Sequence, residues 1–153
     1  MNVLWIKDNN IGHEKQVQVL LDELSNNLNL NIECRAVKGS IPFFRYIDKV
    51  QENFYDLIIG AGHKTYPILI KTKKNQKKSC KNIAVLAPSS NKMKFDVICA
   101  PSHDAKRLKN LNNVIFYEGS LAKVSTDDID EKIGVIAIGG INNLNYKKFV
   151  KSG

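Results

Sequence analysis

Each of the three histidines in the chain, His13, His63 and His103, follows shortly after an apolar, strand-like run and stands beside glycine or proline. Ligands of an open α/β sheet bind at the carboxyl ends of parallel strands, so we expect these three imidazoles on one ligand-binding edge. Imidazole exchanges protons near neutral pH, which suits acid–base catalysis or recognition of phosphate and sugar hydroxyls. For any one of them the alternative is a structural histidine that caps a helix or bonds a backbone carbonyl.

The first histidine belongs to a Gly12-His13-Glu14-Lys15-Gln16 segment where the first strand passes into the first helix. Backbone amides at a helix start, together with the helix dipole, favour a phosphate or a developing oxyanion. We therefore predict that His13 is a catalytic base or donor and that Gly12 and Gln16 bind substrate. The segment is not G-x-G-x-x-G, so a dinucleotide site is only weakly indicated.

The second histidine lies in a glycine-rich turn, residues 60–65, that also joins a strand to a helix. Its glycines permit close backbone approach to a ligand, and its lysine and threonine add a cation and a hydroxyl. The spacing differs from that of a phosphate-binding loop of nucleotide hydrolases. The substrate-binding residues predicted here are Gly60, Gly62, His63, Lys64 and Thr65.

The third histidine stands next to a carboxylate, His103-Asp104, after a buried strand. Two alternatives remain open: Asp104 holds the imidazole, or it caps a short helix. Further glycine-rich turns are expected to complete the same edge. They contain Gly119 and Ser120, predicted to bind substrate, and Gly139 and Gly140, predicted to bind donor phosphate.

Strand-like and helix-like segments alternate along the chain. Short apolar runs predict strands at 3–6, 55–59, 82–87, 95–100 and 113–117, and alternation of apolar and polar residues predicts a strand at 31–37. Helices are predicted at 12–29, 41–54 and 64–73. Continuous apolar strands that alternate with helices indicate a parallel sheet covered on both faces. The predicted fold class is therefore α/β, a Rossmann-like doubly wound parallel sheet.

The C-terminal part of the chain begins a second unit. Residues 125–132 are polar and acidic like a linker, and residues 134–138 form a new apolar run. Only 13 residues follow Gly140, whereas a second doubly wound domain needs roughly 100 or more. We expect a first domain at 1–124, a linker at 125–132, and the start of a truncated second domain at 133–153.

Composition and cysteine usage exclude several classes of protein. A chain that is 43% hydrophobic and 25% charged is ordinary for a globular domain. It has no basic leader and no run near the ~20 apolar residues of a membrane span. Its three widely spaced cysteines form neither a disulfide framework nor a zinc knuckle. These features fit a cytoplasmic protein.

The net charge of +8 is concentrated between Leu57 and Phe95, where nine lysines and no acidic residue occur. The densest part, Lys71–Lys81, predicts peripheral contact with an anionic membrane at its inner face, and the alternative is a solvated face. Nucleic acid is not favoured, because this stretch contains only Tyr66 and Phe95 for stacking on bases.

Five motifs occur in order from Val3 to Gly140: G-H-x-x-Q, D-L-I-I-x-A-G-x-x-T, F-D-x-x-x-x-P-x-H-D, N-V-I-x-x-x-G-x-L and I-G-G. Together they resemble the mitochondrial-fission Elm-one family, whose bacterial members are described as glycosyltransferases of GT-B type. The resemblance implies two Rossmann-like domains facing a cleft, with the acceptor on the N-terminal domain and a nucleotide-sugar donor, rather than a cofactor, on the other. This chain would cover the N-terminal domain and, without most of the donor contacts, is expected to be inactive by itself. His63 stands where family members often carry arginine.

The leading hypothesis is the N-terminal half of an inverting, metal-independent glycosyltransferase that transfers a sugar to a cell-envelope or lipid-linked acceptor. His13 would deprotonate or orient the acceptor hydroxyl. One alternative is a non-catalytic interaction module. Another is a zinc hydrolase with the three histidines as ligands, although no H-x-H or H-E-x-x-H spacing is present.

Overall fold

The computed structural model describes residues 1–41 and 44–122. The predicted linker at 125–132, the predicted second-domain segment at 133–153, and Gly139 and Gly140 lie outside the described residues. No helix within the described part is long and apolar enough to cross a membrane.

The described part of the chain contains six strands and two α-helices. They are β1 (Asn2–Lys7), α1 (Ile11–Ser25), β2 (Asn31–Ala36), β3 (Leu57–Ala61), α2 (Tyr66–Lys73), β4 (Lys81–Val85), β5 (Val97–Pro101) and β6 (Val114–Tyr117), with short 3₁₀ helices at Lys92–Lys94 and Ser102–Leu108. All six strands are parallel and lie in the order β2-β1-β3-β4-β5-β6. The predicted α/β fold class, a Rossmann-like parallel sheet, is confirmed.

Alternate residues of β1 face opposite sides of the sheet, because successive side chains of a strand point to opposite faces. Val3 and Trp5 join the core beneath α1, which contributes its buried Val17 and Leu21. Leu4 and Ile6 join the core on the other face, where α2 and the 102–108 turn pack. Each fully buried aliphatic side chain stabilises the fold by roughly 1.5–3 kcal/mol. Both faces of the sheet are therefore covered, as the continuous apolar strands predicted.

The predicted helix at 41–54 is wrong over its described residues. Lys38 and Tyr46 instead pair as an antiparallel bridge, with their amide nitrogens and carbonyl oxygens 2.8 and 3.1 Å apart. Gly39, at a φ of +88°, turns the chain where an added Cβ would lie 2.6 Å from the Phe44 carbonyl oxygen. The apolar residues that suggested a helix, Ile47, Val50 and Phe54, pack against the core from a segment without helical structure. Packing against the core, without a helix, therefore explains the spacing of these three apolar residues.

Candidate functional site

The carboxyl ends of β1 and β3 border the topological switch point of the sheet. The chain leaves β1 through α1 to reach β2 on one side, and it leaves β3 through α2 to reach β4 on the other. The two connections diverge there, and the crevice outside such a point is the usual ligand site of open α/β sheets. Asp8–Asn10 lie on the β1 side of this crevice, and Gly62–Thr65 lie on the β3 side.

A carboxylate–imidazole pair occupies the β1 side of the switch point. Asp8 Oδ2 lies 2.7 Å from His13 Nδ1, and the side chain of Asp8 is only 4% exposed while that of His13 is 28% exposed. The other Asp8 oxygen, Oδ1, accepts a hydrogen bond from the Asn10 amide at 3.0 Å. When Nδ1–H donates to the carboxylate, the lone pair of a neutral ring is at Nε2. The pair can therefore accept a proton at Nε2 while Asp8 compensates the charge.

The start of α1 is capped from within the chain. Asn10 Oδ1 accepts hydrogen bonds from the backbone amides of Gly12 at 3.0 Å and His13 at 3.3 Å. The sequence predicted that the amides at this helix start bind an anionic ligand. In the structure these two amides already donate to the Asn10 side chain. The Gly12 amide therefore stabilises the start of α1, the helix that carries His13.

Gly62 brings the β3 side of the crevice against the Asp8–His13 pair. Its φ is +85°, and an added Cβ would lie 2.5 Å from both Asp8 Oδ2 and His13 Nδ1. A side chain at this position would therefore overlap both partners, in a backbone conformation that L-residues rarely adopt. Glycine at position 62 is explained by this close approach.

Gly60 and Thr65, both predicted to bind substrate, are buried in this structure. Gly60 is buried within β3, where a Cβ would lie 2.8 Å from the Ile6 carbonyl oxygen. Thr65 is fully buried, and its hydroxyl lies 2.9 Å from the Gly62 carbonyl oxygen and 3.2 Å from that of Ala61. The two residues therefore fix the loop that presents Gly62. His63 is exposed and Lys64 is half-buried in the same loop.

His103 follows β5 and lies at the carboxyl edge, as predicted, but it does not join the Asp8–His13 pair. One strand, β4, separates β5 from β3, which corresponds to about 10 Å between the two strand ends. Of the two roles left open for Asp104, the described residues show neither a hydrogen bond to His103 nor a side-chain cap of the 102–108 helix; Asp104 Oδ1 accepts a hydrogen bond from Arg107 at 2.9 Å. In the described ranges no group of three or more His, Cys, Asp or Glu side chains is arranged to hold a metal ion. The three-histidine zinc site therefore has no geometric support.

A groove of about 440 Å³ runs along α1 from the turn that carries His13. Its lining includes Gly12, Gln16 and Ser120, which the sequence assigned to substrate binding. Tyr117 borders this region and donates a hydrogen bond from its hydroxyl to Gln16 Oε1 at 2.9 Å. Burial raises the pKa of Tyr117 to about 12, so the phenol stays protonated and keeps donating at neutral pH. Gly119, at a φ of +71°, has open space around the position of an added Cβ.

Sequence reasoning missed Asp8 and Tyr117. Asp8 directly follows the first apolar run and precedes His13 by five residues, so a search for carboxylates near each histidine could have found it. Tyr117 is 101 residues from Gln16 in the chain, and no local pattern relates them.

Comparison with known proteins identifies the family of this chain. The family model described as mitochondrial fission ELM1 matches residues 10–145. That match includes His13, the β3–α2 loop and the His103 turn. Searches of curated proteins and of solved structures return no match. Because the family model covers most of the sequence, this chain belongs to the mitochondrial fission ELM1 family.

Proposed function

We propose that this chain is the acceptor-side domain of a GT-B-type glycosyltransferase and that His13 is its catalytic base. The observation that carries the proposal is the Asp8–His13 pair, 2.7 Å apart, at the switch point of a parallel sheet. A base there must reach a bound hydroxyl and keep a fixed orientation. The buried Asp8 carboxylate supplies the orientation, and the partial exposure of His13 supplies the access.

In the proposed reaction, neutral His13 accepts the proton of an acceptor hydroxyl at Nε2 as that oxygen attacks the anomeric carbon of the donor sugar. The bond from the anomeric carbon to the nucleotide phosphate breaks, and the leaving nucleoside diphosphate takes the electron pair. The configuration at the anomeric carbon inverts. Asp8 stabilises the imidazolium, as a buried carboxylate does beside a catalytic histidine.

The groove along α1 is the proposed acceptor site. It begins at Gly12, the residue before His13 in the chain, and offers the Gln16 amide and the Ser120 hydroxyl to sugar hydroxyls. Tyr117 holds Gln16 Oε1, so the amide nitrogen of Gln16 is the group that can donate to a ligand. The donor is a nucleotide-sugar, with Lys64, Gly139 and Gly140 as the proposed phosphate contacts.

The test is glycosyl transfer across a panel of nucleotide-sugars and glycan or lipid-linked acceptors, with this domain supplied together with the donor-side domain that the proposal requires. Acceptor-dependent release of nucleoside diphosphate is the measurement. His13→Gln should lower kcat by about 10²–10⁴-fold, the usual contribution of a general base. Lys49→Gln, at an exposed position, is the matched control and should keep the wild-type rate. If His13→Gln released nucleoside diphosphate at the wild-type rate, His13 would not be the catalytic base.

The ring nitrogens of His13 provide a second test that needs no substrate. Nitrogen-15 NMR of labelled histidine should report the neutral tautomer with the proton on Nδ1, because Asp8 accepts there. Asp8→Asn should change the tautomer ratio of His13 and leave the exposed His63 unchanged. A wild-type ring protonated on Nε2 would contradict the proposed base.

A further inference from the structure

A lysine-rich groove lies at the amino edge of the sheet, opposite the edge that carries His13. α2 starts after the carboxyl end of β3 and ends at Lys73, so the residues that follow it lie near the amino end of β4. The groove, about 560 Å³ in volume, has five lysines in its lining: Lys73, Lys74, Lys77, Lys78 and Lys94. We call these five residues the lysine surface. Lys94 comes from the β4–β5 connection, so tertiary structure adds it to the lysine run of the sequence.

Two aspartates neutralise part of this charge. Asp56, directly before β3, lies 3.0 Å from Lys77, and Asp96, directly before β5, lies 2.5 Å from Lys73. A hydrogen bond from the Asn2 amide and then one from Lys77 lower the pKa of Asp56. Burial alone would raise the pKa of Asp96, but hydrogen bonds from Lys73 and the Asn82 amide bring it below its usual value.

The remaining cations of the lysine surface are in excess. Among the described residues, no carboxylate lies within 4 Å of Lys74, Lys78 or Lys94, and all three side chains are exposed. Met93, next to Lys94 in the chain, is 77% exposed. This edge therefore combines unneutralised ammonium groups with one exposed apolar side chain.

We propose that the lysine surface docks the protein on an anionic lipid bilayer. Lysines on flexible stems match a diffuse array of headgroups, and each cation near such a surface contributes to binding. Met93 can enter the interface between headgroups. An RNA strand fits less well, because no aromatic side chain lines the groove to stack on bases. The proposal is independent of the proposed transferase activity.

Docking at this edge would direct the candidate active site away from the bilayer. The strands of the sheet separate the two edges, and β3, with 5 residues, is about 17 Å long. His13 would therefore face the aqueous side. An acceptor that reaches His13 would come from solution or extend from the membrane by at least that distance, so the docking lipid and the acceptor would be different molecules.

The test is cosedimentation of the full chain with vesicles of phosphatidylcholine alone and of equal parts phosphatidylcholine and phosphatidylglycerol. Wild-type protein should bind only the anionic vesicles. Lys74→Glu with Lys78→Glu should lower the partition coefficient at least about tenfold, since two cations become anions. Lys15→Glu with Lys49→Glu, two exposed positions outside the lysine surface, reaches the same net charge and should keep binding within about twofold.

Three results would overturn the proposal. The first is equal loss of binding in both double variants, which would mean that net charge alone decides the partition. The second is no preference of the wild type for anionic vesicles. The third is binding to single-stranded RNA that Lys74→Glu with Lys78→Glu abolishes while vesicle binding persists, which would identify nucleic acid as the ligand.

Met93→Ser should weaken vesicle binding most at high salt, where ionic attraction is screened.

Discussion

Asp8 and His13 are five residues apart in the chain, and their side chains meet at 2.7 Å because α1 begins between them. Asn10 caps the helix, so the backbone turns and returns His13 to the end of β1. The carboxylate is buried and the imidazole is half-buried. The pair is therefore held rigidly on one side and open to a ligand on the other.

The first prediction concerns the coupling energy of this pair. Asp8→Asn and His13→Gln should each lower the free energy of unfolding by about 1–3 kcal/mol, because each leaves a buried polar group with a poorer partner. The double variant should cost less than the sum, with a coupling of about 0.5–3 kcal/mol. Urea unfolding of the four proteins measures it. The exposed pair Lys38–Asp48 is the control, and its coupling should be smaller because solvent screens it; equal couplings for the two pairs would contradict the prediction.

The second prediction separates steric overlap from backbone strain at glycine. Gly62→Ala should lower the free energy of unfolding by about 2–4 kcal/mol, because a Cβ overlaps Asp8 and His13 at a positive φ. Gly119→Ala has the same sign of φ but open space at the Cβ, and should cost only about 1 kcal/mol. Thermal unfolding of both variants checks this. Equal losses of unfolding free energy in the two variants would show that overlap with Asp8 and His13 adds no destabilisation.

The third prediction concerns the acid limb of stability. The folded pKa of Asp96 is lowered, so the unfolded chain binds a proton more readily than the folded one. The stability from this group is complete above the ordinary aspartate pKa of 3.8 and is lost as pH falls through the lower, folded value. Asp96→Asn should therefore flatten the rise of stability with pH in this acid range. Unfolding free energies from about pH 2 to 6 test this, and an unchanged slope would contradict it.

The fourth prediction concerns alkaline pH and Tyr117. Burial raises its pKa from 10.0 to about 12, so the unfolded chain loses the phenolic proton first. The stability from this group is complete below pH 10.0 and is lost as pH rises to about 12. Tyr117→Phe should remove that part of the alkaline loss and, by breaking the bond to Gln16, cost about 0.5–1.5 kcal/mol at neutral pH. Denaturant unfolding at neutral pH and at pH 10 to 12 measures both effects; an alkaline loss as large as in the wild type would contradict the assignment.

Local sequence patterns were sufficient to predict the sheet and the edge of the candidate site. Each buried parallel strand reads as a short apolar run, and the residue that follows a run necessarily lies near its carboxyl end. His13, His63 and His103 were therefore placed at the correct edge without coordinates. The helix predicted at 41–54 was wrong over its described residues, because residues spaced for one helical face also suit an irregular segment that packs on the core.

The sequence by itself determined the parallel α/β fold, because burial on both faces of a sheet leaves a nearly continuous apolar pattern in its central strands. It also determined that a histidine would stand after β1. Only the tertiary structure decided which groups meet. It pairs His13 with Asp8, separates His103 by the width of β4, turns the Thr65 hydroxyl inward, and joins Gln16 to Tyr117. These contacts depend on strand order and loop conformation, which connect residues distant in the chain and leave no periodic pattern in it.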